Sequence, residues 1–440
     1  MREQIFSVVL LLLGGLARSK SVTPATRAFE ASWQSLNITN VGAVSYSSFS
    51  FDGQQIRGLL SGRVEGVLMQ VPKAAALLAD AESAKSPIPH LGDSAWRSLK
   101  ASQRASLLLL LEWERGAASP LAEYVEMLVE VGRTKSLSTP LHWDASLQAS
   151  LRDLYPPLGT ALEEQQRENK RLYEVAGAAF FLVPFSQYVW ATDMVRSRSF
   201  KFQGLDASPG TDLSIWAAFA ASGLSIAGAF YFVLRVGKAT KGGWLSGLDI
   251  VAVLLAVAAS VPLMLLLPRL SKAGTTTFCV LLPGIDSANH HSRLFNANLE
   301  FEPSLSAFVL VSLSTDKNKN DENQVLLNYG PLSNDELLLR FGFVEADNPY
   351  DNFVVEAGTA GAPQPVTILR SGPDSFSVDG APEFAEGLGL RGVLEAQLER
   401  LERGASAANA SRLLSTFIAE KKRVLRLFLR SNILPSVVGG

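Results

Sequence analysis

The sequence predicts an α+β protein: a β-rich domain with helical insertions, an apolar two-helix hairpin inserted within it, and an all-α C-terminal domain. Three observations carry this prediction. Apolar residues alternate with polar ones and with glycines over residues 41–71, which is typical of short strands. Two apolar runs in the middle of the 440-residue chain are each long enough to cross a membrane. Leucine and phenylalanine recur at helical spacing from residue 382 onward.

The composition excludes several classes of function. Lys and Arg number 40 and Asp and Glu 42, a net charge of -2, so no basic field favours nucleic acid and we expect no nucleic-acid partner. One cysteine, Cys279, rules out a disulfide framework, an iron–sulfur cluster and a cysteine-built zinc site. Of the four histidines only His290 and His291 are adjacent, and no metal is expected.

The N-terminus is predicted to be a secretory signal peptide over residues 1–17. A basic start, an apolar run over 5–13 and small residues after it are typical of such signals, with a buried N-terminal helix as the alternative. Residues 18–37 are predicted to be a transit-like leader or linker, without an acid before Glu30. Together they resemble, in composition, the two-part leader of algal plastids. The expected location is a membrane reached through this signal peptide, in an algal plastid or otherwise in the endomembrane system.

A transmembrane hairpin is predicted within an insertion over residues 202–275. Its spans are 214–236 and 244–267, each carrying a single charge, Arg235 and Asp249 respectively. Each is long enough for a hydrocarbon core of about 30 Å. Two buried helices of a soluble protein are the alternative, and the basic residues on both sides leave the orientation open.

The rest of the chain is predicted to be one soluble protein. Its first part, 38–201, contains the strands and then a helical insert, and its second part, 276–350, contains further strands. The polar residues 317–323 are expected to form the turn of a hairpin whose returning strand is 324–328. The C-terminal domain, 351–440, is expected to be helical.

Four motifs follow one another along these soluble parts. They are Gln55-Ile56-Arg57-Gly58-Leu59; Trp190-Ala191 with Ser197-Arg198-Ser199-Phe200; Leu282-Pro283-Gly284-Ile285-Asp286-Ser287-Ala288-Asn289-His290; and Asn328-Tyr329-Gly330 with Ser333-Asn334-Asp335-Glu336-Leu337-Leu338-Leu339 and Phe341-Gly342-Phe343. In this order they resemble the SET-domain protein methyltransferases of the Rubisco large-subunit lysine methyltransferase type. The resemblance extends over residues 41–429 apart from the hairpin, and 351–440 resembles that family's substrate-binding domain.

The resemblance implies a site for S-adenosylmethionine and a lysine channel. The cofactor-binding positions are the backbone at Gln55 and Arg57, with Gly58, and the side chains of Arg198, Asp286, Asn289 and His290. Tyr329 is the catalytic position, and its phenol suits the orientation of an amine. An arginine such as Arg198 suits a carboxylate. Phe341 would line the channel.

Two positions depart from the family pattern. Ile56 replaces the first glycine of a Gly-x-Gly loop, and Phe341 stands where many members have a second tyrosine.

The predicted function is a membrane-tethered, S-adenosylmethionine-dependent protein N-methyltransferase. The methylated residue would be a lysine of a protein substrate, and histidine is the alternative residue type. The alternative is a non-catalytic, membrane-anchored interaction module in which Ile56 marks the loss of cofactor binding. A transporter or channel subunit is disfavoured because the spans lack paired charges.

Overall fold

The protein is described by a computed structural model over most of residues 22–203 and 277–431. The described residues are 22–51, 54–62, 65–79, 85–88, 91–133, 139–177, 183–203, 277–313, 323–357, 364–370, 372, 375–380, 388–404 and 411–431. The predicted signal peptide, 1–17, and the predicted spans, 214–236 and 244–267, lie outside them. In these ranges no helix combines the length and apolarity that crossing a membrane requires.

The chain divides into two compact units. The first contains residues 1–79, 83–200 and 279–440, and it holds every candidate site residue. The second contains residues 80–82 and 201–278, and its described part is the strand residues 201–203 and 277–278.

The strands of the first part confirm the pattern of alternating residues. In chain order the strands are β1 (Thr39–Asn40), β2 (Ser45–Phe51), β3 (Gln54–Leu60), β4 (Gly66–Pro72), β5 (Leu77–Ala79), β6 (Phe200–Gln203), β7 (Thr277–Leu281), β8 (Asn289–His290), β9 (Ala297–Glu302), β10 (Ala307–Ser312), β11 (Gln324–Leu327), β12 (Asn352–Ala357), β13 (Gln364–Arg370) and β14 (Phe376–Asp379). One four-stranded sheet has the order β1-β4-β10-β9 and another the order β2-β3-β11-β8. Residues far apart in sequence therefore meet in each sheet.

The β2-β3-β11-β8 sheet positions the candidate site. Strand β11 pairs antiparallel with β3, where Val325 lies opposite Leu59, and parallel with β8, where Leu327 lies opposite His290. The chain leaving β11 reaches Tyr329 two residues later. This sheet therefore brings the Gly58, Asn289 and Tyr329 motifs together.

The predicted hairpin around residues 317–323 is wrong in its pairing. Strand β10 pairs with β4 and β9, whereas β11 belongs to the other sheet. Two neighbouring apolar strands joined by a polar segment look the same in sequence whether or not they pair with each other.

The first helix lies in the segment that was predicted to be a leader or linker. Among the described residues of the first unit, the α-helices are α1 (Pro24–Ser32), α2 (Asp93–Ser98), α3 (Ala101–Arg115), α4 (Ala122–Arg133), α5 (Ala145–Leu154), α6 (Pro156–Gly177), α7 (Phe185–Arg198), α8 (Asn334–Phe341), α9 (Leu388–Arg403) and α10 (Arg412–Arg430). Thr23 caps α1, with its hydroxyl accepting from the Thr26 amide at 3.3 Å. Phe29 and Trp33 are buried. The leader-or-linker interpretation is therefore wrong for 24–33, because α1 belongs to the folded domain.

The C-terminal domain is mixed rather than all-α. Before its two helices, β12, β13 and β14 form an antiparallel sheet. Buried Phe353 and Ile368 of this sheet share one apolar core with Leu394 of α9 and with Phe417 and Leu425 of α10. Burying one such side chain fully contributes about 1.5–3 kcal/mol. The helical pattern dominated this region of the sequence, although alternating Val366, Ile368 and Arg370 are buried in β13.

Candidate active site

Tyr329 lies where β11 ends and is fixed at both its backbone and its side chain. Its hydroxyl donates to the Ala288 carbonyl oxygen at 2.7 Å, and its amide donates to His290 Nδ1 at 3.0 Å. The two rings stack, with centroids 4.9 Å apart and planes 28° apart. Burial is the main cause that raises the pKa of the Tyr329 phenol far above neutrality, so it stays protonated.

Asn289 packs against Gly58, as expected if both residues belong to one site. Asn289 Nδ2 donates to the Arg57 carbonyl oxygen at 3.1 Å. A Cβ atom added to Gly58 would lie 2.5 Å from Asn289 Nδ2, closer than real Cβ contacts come. A side chain at position 58 would therefore displace the Asn289 amide from its contact with β3.

The β3 backbone is regular on the N-terminal side of Gly58. Gln55 lies opposite Ser50 and Ile56 lies opposite Phe49 in the ladder between β2 and β3. A non-glycine residue is normal in an extended strand, so the backbone at Ile56 needs no glycine.

Arg198, the last residue of α7, contacts the segment that carries Asp286. Its Nη1 donates to the Asp286 carbonyl oxygen at 3.1 Å and to Ser287 Oγ at 3.5 Å. The Asp286 carboxylate accepts a short hydrogen bond from the Tyr124 hydroxyl. Burial raises the pKa of Asp286, and the charge of Arg198 opposes that rise.

The Arg57 side chain is a second cation near the Asp286 segment. It lies over the Tyr46 ring at 5.5 Å from the centroid, and its Nη1 donates to Thr26 Oγ1 at 3.2 Å. Burial, together with the charge of Arg198, lowers the pKa of Arg57 to about 10. The Arg57 guanidinium is therefore charged at neutral pH, and the charges of both Arg198 and Asp286 act on it.

Both arginines also keep a buried nitrogen unpaired. Arg57 Nη2 and Arg198 Nε are buried and have no hydrogen-bond partner among the described residues. Buried donors are normally paired, and an unpaired one costs about 1–3 kcal/mol. This surplus of charge and donors fits an anionic group such as a carboxylate.

Aromatic rings line the other side of Tyr329. The Phe341 ring lies 4.9 Å from the Tyr329 ring, and Phe343 lies 6.2 Å from Phe341. Arg340 covers the Phe341 ring at 5.2 Å from the centroid. This apolar wall would surround the stem of a long side chain entering toward Tyr329.

The structure thus brings the predicted site residues into one neighbourhood, except that Gln55 is placed only by its backbone pairing in the ladder between β2 and β3. Arg198 contacts the Asp286 segment, Asn289 contacts Arg57 and Gly58, and His290 and Phe341 contact Tyr329.

Several residues of this neighbourhood were missed from the sequence. They are Thr26, Tyr46, Tyr124 and Glu345, and Phe343 was quoted in a motif without being given a role. Tyr124 and Asp286 are 162 residues apart, and no local pattern connects them. Glu345 lies two residues after the Phe341-Gly342-Phe343 motif, and that proximity was the available signal. Within the described part of the chain, no group of His, Cys, Asp and Glu side chains has a metal-binding arrangement.

The chain resembles known proteins in two comparisons, and no protein-family model matches it. A stretch of 80 residues is 38% identical to the ribosomal lysine N-methyltransferase set10 of Schizosaccharomyces pombe. This match spans 18% of the chain and 14% of that relative's length.

Among solved structures, the chain is similar to Rubisco LSMT bound to AdoMet. The TM-score is 0.51 at 16% sequence identity, over 93% of this chain and 91% of that one. The fold is therefore the SET-like α+β fold of Rubisco LSMT, with a helical C-terminal region. This confirms the fold class predicted from the ordered motifs, apart from the C-terminal sheet and the hairpin outside the described residues.

Proposed function

We propose that this protein is an S-adenosylmethionine-dependent protein-lysine N-methyltransferase. The observation that carries the proposal is the convergence of Arg198, from before the insertion, with Asn289 and Tyr329, from after it. Two further facts support it: the local similarity to a lysine N-methyltransferase and the fold shared with an AdoMet-bound structure.

The cofactor would be held by the polar groups of the Asp286 segment and β3. Arg198 and Arg57 offer unpaired nitrogens to its carboxylate. Asn289, His290 and the backbone from Gln55 to Gly58 offer polar edges to the rest of it. When bound, the cofactor supplies an electrophilic methyl group on a sulfonium.

Tyr329 would orient the lysine amine rather than deprotonate it. Its proton is engaged with Ala288, and its raised pKa keeps the phenol neutral. The phenol oxygen can still accept a hydrogen bond from the amine and so direct the amine's lone pair. The rings of Phe341 and Phe343 exclude water, and desolvation favours the neutral amine that a displacement needs.

The proposal also includes attachment to a membrane, which only the sequence supports. The apolar runs 214–236 and 244–267 would tether the domain, and residues 1–17 would direct it to a plastid or endomembrane. The protein substrate would then be restricted to what is present at that membrane.

The alternative is a non-catalytic interaction module, favoured by the two departures at Ile56 and Phe341. Because Ile56 lies in a regular strand, its backbone does not argue for loss of cofactor binding. The two functions differ in one measurable property, which is affinity for the cofactor.

Methyl transfer from radiolabelled cofactor to proteins of an organelle extract tests the proposal. Tyr329→Phe removes the hydroxyl, and we expect labelling to fall by at least about tenfold if the oriented amine is lost. Tyr173→Phe is the matched control, because the Tyr173 hydroxyl also donates to a backbone carbonyl at 2.7 Å, that of Val183. Equal labelling by wild type and Tyr329→Phe would refute the role of Tyr329.

A further inference from the structure

Glu345 lies next to the Asn289-His290 segment, and several residues contact its carboxylate. Its Oε1 accepts from the Ser292 amide at 3.0 Å and from Ser292 Oγ at 2.7 Å. Its Oε2 lies 3.4 Å from His290 Nε2, and His291 Nδ1 lies 3.1 Å from Oε1. Burial alone would raise the pKa of Glu345, but hydrogen bonds from these partners outweigh it and hold the pKa well below its usual range. Glu345 is therefore an ionised acceptor at neutral pH.

The hydrogen bonds of His290 select one tautomer of its ring. A neutral imidazole has one donor nitrogen and one acceptor nitrogen. Nδ1 lies 3.0 Å from the Tyr329 amide, which can only donate, and 3.3 Å from the Leu327 carbonyl oxygen, which can only accept; we take the shorter contact, so Nδ1 is the acceptor. The proton is then on Nε2, which faces the Glu345 carboxylate. The Tyr329 amide thus hydrogen-bonds one nitrogen of the His290 ring, and the Glu345 carboxylate lies 3.4 Å from the other nitrogen, where its Oε2 makes no hydrogen bond to the described residues.

The backbone of Glu345 is connected to the C-terminal domain by hydrogen bonds. The buried Asn334 side chain accepts from the Glu345 amide at 2.9 Å and donates to its carbonyl oxygen at 3.1 Å. Asn334 Nδ2 also donates to Asp351 at 3.0 Å. Asp351 in turn accepts from Lys421 of α10 at 2.8 Å. Glu345 therefore has little freedom to move, which suits a group that orients another.

We propose that Glu345 is a positioning residue, which fixes the Nε2–H tautomer of His290 and thereby places Tyr329 for methyl transfer. The inference rests on the proposed function for its catalytic consequence. Its geometry is independent of that function. Glu345 reaches the reacting groups only through His290, so it is not itself a catalytic residue.

The isosteric Glu345→Gln substitution tests this arrangement through donor and acceptor matching. Ser292 presents two donors to one oxygen, so the glutamine carbonyl is drawn toward Ser292. The amide NH₂ then faces His290 Nε2, where two donors would oppose each other. The ring is pushed toward the Nδ1–H tautomer, which opposes the Tyr329 amide. We expect kcat to fall by about tenfold or more, as when an orienting partner behind a ligand is lost, and Glu345→Asp to restore part of it.

The tautomer itself is measured by nitrogen-15 NMR of the histidine rings, without cofactor. The chain has only four histidines, and His290→Asn assigns the signal of His290. Wild type should show Nδ1 unprotonated and Nε2 protonated, and Glu345→Gln should change that signal. Glu112→Gln is the control, because Glu112 also accepts from a serine hydroxyl, that of Ser119 at 2.6 Å, and it should change neither signal nor kcat.

The outcomes separate this inference from the proposed function. A wild-type His290 protonated on Nδ1 would overturn the inference, and so would a Glu345→Gln enzyme with unchanged kcat. A wild type that neither binds cofactor nor transfers methyl would refute the proposed function. Even if Glu345→Gln fails to fold, the wild-type tautomer signal still tests the inference, because protonation of His290 on Nδ1 would overturn it.

Discussion

Two regions of the molecule bury charged side chains, and they do so in opposite ways. Near the Asp286 segment, Arg198 bonds a backbone carbonyl and a serine hydroxyl rather than the Asp286 carboxylate, and both Arg57 and Arg198 keep unpaired nitrogens. In the C-terminal domain, Lys421 lies between Asp335 at 2.6 Å and Asp351 at 2.8 Å and also donates to the Asn352 carbonyl oxygen at 2.8 Å. The first region has unpaired hydrogen-bond donors, as a binding site does. The second has all of the Lys421 donors engaged, as a structural core does.

The comparison predicts that the Lys421 cluster matters most for stability. Lys421→Met would leave two carboxylates buried without their cation, and breaking such a cluster costs about 3–5 kcal/mol. We expect the free energy of unfolding in denaturant to fall by this amount. The neighbouring Lys422→Met is the control and should change it little, because Lys422 is only half-buried. A loss below about 1 kcal/mol for Lys421→Met would show that the cluster is not structural.

At the candidate site the largest effect should be on cofactor affinity rather than on stability. In Gly58→Ala the new Cβ, 2.5 Å from Asn289 Nδ2, displaces the Asn289 amide. We expect the Kd for S-adenosylmethionine to rise by about tenfold or more, the cost of a misplaced hydrogen-bonding group. Gly392→Ala is the control, since a Cβ there meets no atom within 4 Å. Equal affinities of the two variants would place the cofactor away from Gly58.

Arg57→Met sharpens the contrast between the two regions. It removes one of two like charges together with an unpaired buried donor, so the free energy of unfolding should fall far less than in Lys421→Met. Cofactor affinity should weaken by several-fold, as expected when one charged hydrogen bond to an anion is lost. Calorimetric titration and denaturant unfolding of the same preparation measure both. A variant as unstable as Lys421→Met, with unchanged affinity, would make Arg57 structural.

The smallest effect is expected at a partly exposed ion cluster, Asp347 with Arg293, Arg370 and Arg423. Burial alone would raise the pKa of Asp347, but hydrogen bonds and attraction from the arginines outweigh it and lower the pKa. A lowered carboxyl pKa gives stability above the ordinary value of 3.8, and that stability is lost as the pH falls. Because Asp347 is half-exposed, Asp347→Asn should cost only about 1 kcal/mol at pH 7. The difference from wild type should shrink below pH 4; a constant difference would exclude the ionic cause.

The sequence was informative where the signal is local and less so where pairing is distant. Strand β3 and the capping box of Ser333 with Glu336 follow from alternation and from residue types three positions apart. The order of the motifs was sufficient to predict the neighbourhood of Arg198, Asn289 and Tyr329. Contacts such as Tyr124 with Asp286, or Lys421 with Asp351, depend on which elements pack together, and no periodicity within one segment encodes that.

Direct titration of the wild-type chain with S-adenosylmethionine tests the central claim most directly. We expect saturable binding with one site per chain, and a weaker Kd for Arg198→Met, which loses the guanidinium beside Asp286. A wild type with no measurable affinity, in a preparation that unfolds cooperatively, would contradict the claim that the two halves of the chain close around a methyl donor.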